Sequence, residues 1–235
     1  MINKRQSLIG VDEAGLGPVF GPLVVAGVRV KAMHLNLLRE LGVKDSKLFG
    51  GCKRSRWRRE LVWQKAKQFV EKFEIRVFPA GQIDSAYLQG ITMYDLEIHG
   101  VAEILNELDW QTTEAIYLHQ LGQTSRNKVL QKLHKHDYHF FSESFNLKTV
   151  YEKYADIKYT HVGLASIVAK VTRDTLVGLI CDEIGEEYVS GYANRNTAVF
   201  LGKYFERCHT LPPHTRRTRN WQPLNELVAK EGRRC

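Results

Sequence analysis

The chain is poor in the features that would place it outside the ordinary soluble globular proteins. It holds 4 cysteines, at positions 52, 181, 208 and 235, and no Cys-x-x-Cys pair. That spacing argues against a zinc site and predicts free thiols. Nowhere do about 18 apolar residues run together, so neither a membrane-spanning helix nor a membrane partner is expected. The opening Met-Ile-Asn-Lys-Arg-Gln-Ser lacks the apolar stretch of a signal peptide, which makes a cytoplasmic location the expectation. Low-complexity tracts and internal repeats are absent, and so is the Gly-Lys-Ser/Thr ending of a phosphate-binding P-loop.

What is present is a basic chain of 235 residues, 43% hydrophobic and 26% charged. That length can bury a sizeable core as one large domain, or one domain with a short C-terminal annex. We read residues 1–184 as the main domain and 185–235 as a helical extension of the same globular unit. The net charge of +8 points toward a polyanionic partner, because neutralising phosphates releases counterions.

The most informative stretch runs from Gly10 to Gly21. An apolar run (Leu8, Ile9, Val11) carries two adjacent carboxylates, Asp12 and Glu13, to a glycine-punctuated turn, and a second apolar run (Leu23 to Val30) leaves it. Side chains alternate across a strand, so the two acids should point to opposite faces unless the chain bends at Glu13. Gly15 and Gly17 offer the backbone freedom for such a bend. Two acids on a basic chain suggest a divalent metal and phosphate. Taken alone, the pair also fits solvated turn residues.

Further along, the periodicity predicts helices over 32–41, 55–73, 91–108, 128–133, 163–184 and 197–208, with strands over 74–78, 115–118 and 138–141. The segment from Lys53 to Arg59 surrounds Trp57 with five basic residues, a pattern suited to a phosphate backbone and equally to a solvated helix face. A second basic and aromatic cluster, His214, Arg216, Arg217, Arg219 and Trp221, offers the same two readings. His134, His136 and His139 have ligand-like spacing but stand in a charged loop without a cysteine partner. In the helix over 163–184, Ser166, Lys170 and Asp174 fall at i, i+4 and i+8 on one stripe. A carboxylate on a helix dominated by small and apolar residues needs a charged partner, which a metal would supply.

These residues form a set that resembles the type 2 ribonucleases H, ribonuclease HII and its HIII relatives, over roughly residues 7–222. Four blocks match in order: Asp12-Glu13-Ala14-Gly15 with Gly17-Pro18 and Gly21-Pro22; Asp45-Ser46-Lys47; Ala155-Asp156 followed by Ala165 to Asp174; and Gly191-Tyr192 with Pro213-His214-Thr215-Arg216-Arg217. The resemblance implies an α/β, ribonuclease H-like fold, with a central mixed β-sheet flanked by helices and a helical C-terminal extension. It implies endonucleolytic cleavage of RNA in RNA-DNA hybrids, or at ribonucleotides embedded in duplex DNA, by a two-metal-ion mechanism with two Mg²⁺ or Mn²⁺ ions. By the same resemblance Asp12, Glu13 and Asp174 are catalytic metal ligands. Gly15, Leu16 and Gly17 form the loop that reads the ribose 2′-hydroxyl. Tyr192 packs on a sugar, and Lys47 and Lys170 contact phosphate. Separately from the resemblance, a monomer is the expectation.

Two departures stand out. Leu16 replaces the family's usual arginine between the glycines. At the end of the strand over 115–118, where the family carries its remaining carboxylate, this chain has His119-Gln120. We therefore place His119 in the catalytic and metal set. A neutral imidazole lowers the site's negative charge and offers nitrogen where Mg²⁺ prefers oxygen, so the expectation is a Mn²⁺ preference. Two alternatives stay open: Glu114, Asp95 or Glu143 supplies the fourth carboxylate, or the chain binds hybrids with weakened or lost cleavage.

Overall fold

A computed structural model describes residues 6–43, 53–122, 124–136, 140 and 142–233. The chain divides into two compact units, Met1–Ala14 with Val24–Arg76 and Tyr94–Val171, and Gly15–Leu23 with Val77–Met93 and Thr172–Cys235. The boundary expected after Ile184 falls inside the second unit.

The first unit is built on a mixed sheet of five strands in the order β3-β2-β1-β4-β5. These are β1 (Ser7–Ala14), β2 (Leu23–Lys31), β3 (Val70–Phe78), β4 (Ala115–His119) and β5 (Thr149–Glu152). β1 is antiparallel to β2 and parallel to β4, and β4 is parallel to β5. The helices described are α1 (Leu35–Glu40), α2 (Lys53–Ala66), α3 (Ala80–Leu88), α4 (Met93–Glu107), α5 (Arg126–His136), α6 (Glu143–Lys148), α7 (Ala155–Lys158), α8 (Thr160–Glu183), α9 (Arg195–Cys208) and α10 (Gln222–Gly232).

Val11, Val24, Val25, Ala26, Val28 and Val30 are buried, as β-branched and small residues should be on a strand covered on both faces. Two glycines set how closely the helices approach. A Cβ on Gly10 would lie 2.6 Å from the backbone of His161 and Val162, so β1 touches the start of α8 there. A Cβ on Gly27 would lie 2.3 Å from Ile104 of α4. Strand alternation then sends Gly10 and Asp12 to the α8 face, and Val11 and Glu13 to the α4 face.

Several predicted boundaries shift. The helix expected over 55–73 is α2, which closes in a 3-10 turn at Lys67–Phe69, and β3 begins already at Val70. Sheet pairing claims Val70 to Phe73 over their helical spacing, an override of local preference by tertiary context. The strand expected over 138–141 lies largely outside the described residues, and Phe140 is buried in a 3-10 turn. β5, α3, α6, α7 and α10 were not expected.

The second unit packs α9 and α10 around Val19, Leu201, Phe205, Leu211 and Leu224. A second cluster there joins Phe20 to Val177, Ile180, Cys181 and Val189. The bridge between Phe20 and Thr215 ties the Gly15–Leu23 segment to the tail.

Candidate active site

In the first unit the parallel register Val11↔Leu118 brings the next residue of each strand, Asp12 and His119, to the carboxyl ends of β1 and β4. That is where open α/β sheets bind their ligands. The bend expected at Glu13 does not occur. The antiparallel ladder continues through Glu13↔Val25 and Ala14↔Val24, and the turn begins one residue later at Gly15, with φ +102°.

His119 Nδ1 lies 3.4 Å from Asp12 Oδ1 and 3.4 Å from Asp156 Oδ1. Asp156 stands in the first turn of α7 and is buried, as is Asp12. One donor atom from each of Asp12, His119 and Asp156 falls within 4.8 Å of the others, a spacing that can hold a metal ion. Burial opposes protonation of His119, but its hydrogen bond to Asp156 and the charges of Asp12, Glu13 and Asp156 outweigh this and raise its pKa.

Glu13, on the opposite face of β1, meets Glu97 from α4. Burial is the main reason both carboxyls titrate high, with Glu97 pushed up to about 8 and Glu13 raised further by the Glu97 and Asp12 charges. No donor reaches Glu13 Oε2 or either oxygen of Glu97. Native interiors rarely leave buried acceptors in that state without a ligand or a functional reason. The donor set, oxygen-rich with one imidazole, suits Mg²⁺ or Mn²⁺.

A ribonuclease HII profile matches residues 9–219. The chain belongs to the ribonuclease HII family. It is 34% identical to the ribonuclease HII of Methanocella arvoryzae over 231 residues, covering 97% of this chain and 95% of that one. A ribonuclease HII from Thermococcus sibiricus is also 34% identical, over 94% of this chain and 91% of its own length. Among solved structures, the ribonuclease H2 of Pyrococcus horikoshii OT3 superimposes with a TM-score of 0.78 at 27% identity, covering 96% of this chain and 99% of that one. Family membership makes the chain an endoribonuclease with a ribonuclease H-like fold.

The residues expected of a ribonuclease HII are distributed over both units. Asp12, Glu13 and His119 converge as described. Asp174 belongs to the second unit, where it accepts a hydrogen bond from Tyr188 Oη at 3.1 Å and lies 3.6 Å from Arg173. Of the alternative fourth acids, Asp95 pairs with Lys132, Glu114 accepts from Gln6, and Glu143 is exposed at the start of α6. Lys170 Nζ donates to Ser166 Oγ at 2.8 Å. Lys47, Asp45, Ser46 and His139 lie outside the described residues.

Asp156 and Glu97 received no role from the sequence. Asp156 sat inside a matched block. Glu97 had its own signal, because it interrupts the stripe Met93, Glu97, Val101, Leu105 at helical spacing.

The second unit holds the glycine loop. Arg216 is buried and spans it, with Nη1 donating to the Gly15 carbonyl at 2.7 Å and Nε to the Gly21 carbonyl at 2.8 Å. Burial, then the neighbouring Arg173 and Arg219 charges, lower its guanidinium to about 9. Arg173 Nη2 donates to Ser190 O at 2.7 Å, and its guanidinium carbon lies 5.2 Å from the centre of the Tyr192 ring. A Cβ on Gly17 would lie 3.5 Å from that ring, which is half exposed, so Gly17 leaves an open face beneath Tyr192. Leu16 is half-buried beside it.

The two basic clusters belong to different units. Trp57 is 61% exposed beside exposed Arg54 and Arg58, while Arg59 is buried. In the tail, Arg216 is internal, and Arg217 pairs with Glu231 at 3.0 Å while remaining exposed.

Proposed function

We propose that the chain is a metal-dependent endonuclease that hydrolyses RNA in RNA-DNA duplexes or at ribonucleotides embedded in duplex DNA. The observation that carries this reading is the convergence of Asp12, His119 and Asp156 at the carboxyl ends of β1 and β4. Asp12, Glu13, His119 and Asp156 are the ligand set in this reading. Asp156 takes the place the sequence had suggested for Asp174, whose carboxylate is engaged by the Tyr188 hydroxyl. Two divalent ions held by this set would supply activation of the attacking water and stabilisation of the leaving 3′ oxygen.

The residues of the chain do the rest. Asp12 and Asp156 flank His119 and keep its Nδ1 within their charge. Arg216 draws the Gly15 and Gly21 carbonyls inward, which favours presentation of the loop's N–H groups from Gly15 to Gly17 to a ribose 2′-hydroxyl, the group that marks RNA. Tyr192, held by Arg173, offers a flat face for a sugar, and Lys170 and Lys47 contact phosphate. His119 in place of a carboxylate favours Mn²⁺ over Mg²⁺. A monomer acting in the cytoplasm completes the reading.

A second reading, hybrid binding with weakened cleavage, draws on the same histidine. Retention of Asp12, Glu13 and Asp156 supports the enzyme, since clustered carboxylates repel one another without a cation. Both readings are tested by cleavage of two labelled duplexes, one carrying a single ribonucleotide and one fully hybrid, in Mg²⁺ and in Mn²⁺. Cleavage by the natural protein that Asp12→Asn abolishes supports the nuclease. Cleavage by His119→Asp alone supports the binding protein.

A further inference from the structure

The Glu13 and Glu97 pair is not accounted for by the cluster of Asp12, His119 and Asp156. Glu97 is 1% exposed; neither of its carboxylate oxygens, nor Glu13 Oε2, meets a backbone donor or a lysine, arginine or amide side chain, and the two carboxyls meet one another. Asp12, Glu13, Glu97 and His119 line one narrow cavity of about 10 Å³, closed on its other sides by valine and leucine side chains. That is the space of roughly one water molecule. No lysine or arginine lines it. An ionised carboxylate enclosed by hydrocarbon costs several kcal/mol unless a cation or donors face it, and here two carboxylates face each other. Hard divalent cations are held by carboxylate oxygens, Mg²⁺ commonly by one or two of them.

The charge balance of the ligand set points the same way. His119 leaves three carboxylates in that set, Asp12, Glu13 and Asp156. Glu97 restores the number to four from a different element, the buried face of α4.

We infer that Glu97 is a ligand of the divalent metal centre, shared with Glu13, and that it supplies the negative charge missing at position 119. This rests on the metal-dependent reading of the site. It assigns to Glu97 a function that its place in a hydrophobic stripe would otherwise contradict.

The test is Mn²⁺ binding to the full chain without nucleic acid, measured by titration calorimetry and by the electron paramagnetic resonance of free Mn²⁺. The natural chain is compared with Glu97→Gln, with Asp12→Asn, and with His119→Asp alone and combined with Glu97→Gln. Glu97→Gln keeps the side-chain shape and removes the charge. It is expected to weaken Mn²⁺ binding by about tenfold or more, and to shrink the rise in melting temperature that Mn²⁺ produces. Adding Glu97→Gln to His119→Asp is expected to cost less than adding it to the natural chain, because the acid at 119 then shares the burden. Mn²⁺ affinity within twofold of the natural chain for Glu97→Gln overturns the inference, since a purely packing role would leave affinity untouched. Asp12→Asn separates the two levels. If it too binds Mn²⁺ like the natural chain, the metal-dependent reading itself fails. Should Glu97→Gln not fold, Glu97→Asp, which withdraws the carboxylate by one methylene, takes its place; weaker binding supports the assignment and unchanged binding overturns it.

Discussion

The two units bury charge in opposite ways. In the first, Glu13 and Glu97 are enclosed by hydrocarbon with carboxylate oxygens that no donor reaches. In the second, Arg173 and Arg216 are equally enclosed; they donate to the carbonyls of Ser190, Gly15 and Gly21, while Arg173 Nε and Arg216 Nη2 are left without a partner. A buried charge with internal partners is architecture. Two buried acids that no lysine or arginine meets form the arrangement a bound cation would complete.

The contrast is broken most severely at the acids. Asp156→Asn should lower cleavage more than about 100-fold, exceeding the usual loss for a group one step removed from a metal. Its melting temperature in the absence of metal should stay level or rise, because a buried negative charge disappears. A fall in melting temperature with activity retained would make Asp156 a structural residue. The arginines should behave inversely. Arg216→Met leaves the Gly15 and Gly21 carbonyls without their charged donor and should cost about 2 to 4 kcal/mol in denaturant unfolding. Wild-type stability in that variant would remove the architectural role.

A smaller effect sharpens the metal side. His119→Asp should tighten Mg²⁺ binding by about tenfold and bring cleavage in Mg²⁺ toward that in Mn²⁺, as measured across a full titration of both ions. Smaller still per step is a pH effect from the first unit. His161 is buried with no partner on either ring nitrogen, and burial lowers its pKa from 6.5 to about 3. Between those values the unfolded chain binds a proton that the folded chain refuses. Stability is therefore complete above about pH 6.5 and falls as the solution is acidified toward pH 3, by about 1.4 kcal/mol per pH unit. Unfolding curves for the natural chain and His161→Gln at pH 7 and pH 5 should diverge by that slope, and parallel curves would contradict it. Last, Ala at the exposed Arg54 and Arg58 should flatten the salt dependence of hybrid binding, by about one unit of slope for each phosphate no longer neutralised. An unchanged slope would return the Trp57 patch to ordinary solvent.

The sequence exposed the frame of the fold and the residues whose nearness the sheet then fixes, Asp12 and His119. β1, β2 and β4 were legible because their apolar runs are short and bounded by glycine or charge. The start of β3 was not, since Val70 and Phe73 also fit a helical stripe and only pairing in the sheet decides between them. Asp12, Glu13 and His119 were readable from order along the chain. Asp156 was not assigned, because its nearness to His119 depends on where α7 begins after β5, and that strand is only Thr149–Glu152. Glu97 was hidden by habit. An acid on an amphipathic helix is usually taken for the wet side, and here it occupies the dry one.

The pairing of β1 with β4 also bears on how such a site changes over time. The ladder fixes the location of residue 119 through the backbone of residues 115–118, whatever side chain the position carries. Histidine and aspartate codons differ by a single base. The strand end is therefore an interchangeable socket: on the metal-dependent reading proposed above, one point mutation there would change the charge offered to an ion without renegotiating the scaffold, and a second acid elsewhere in the wall would let a lineage cross between the two states without passing through an inert one.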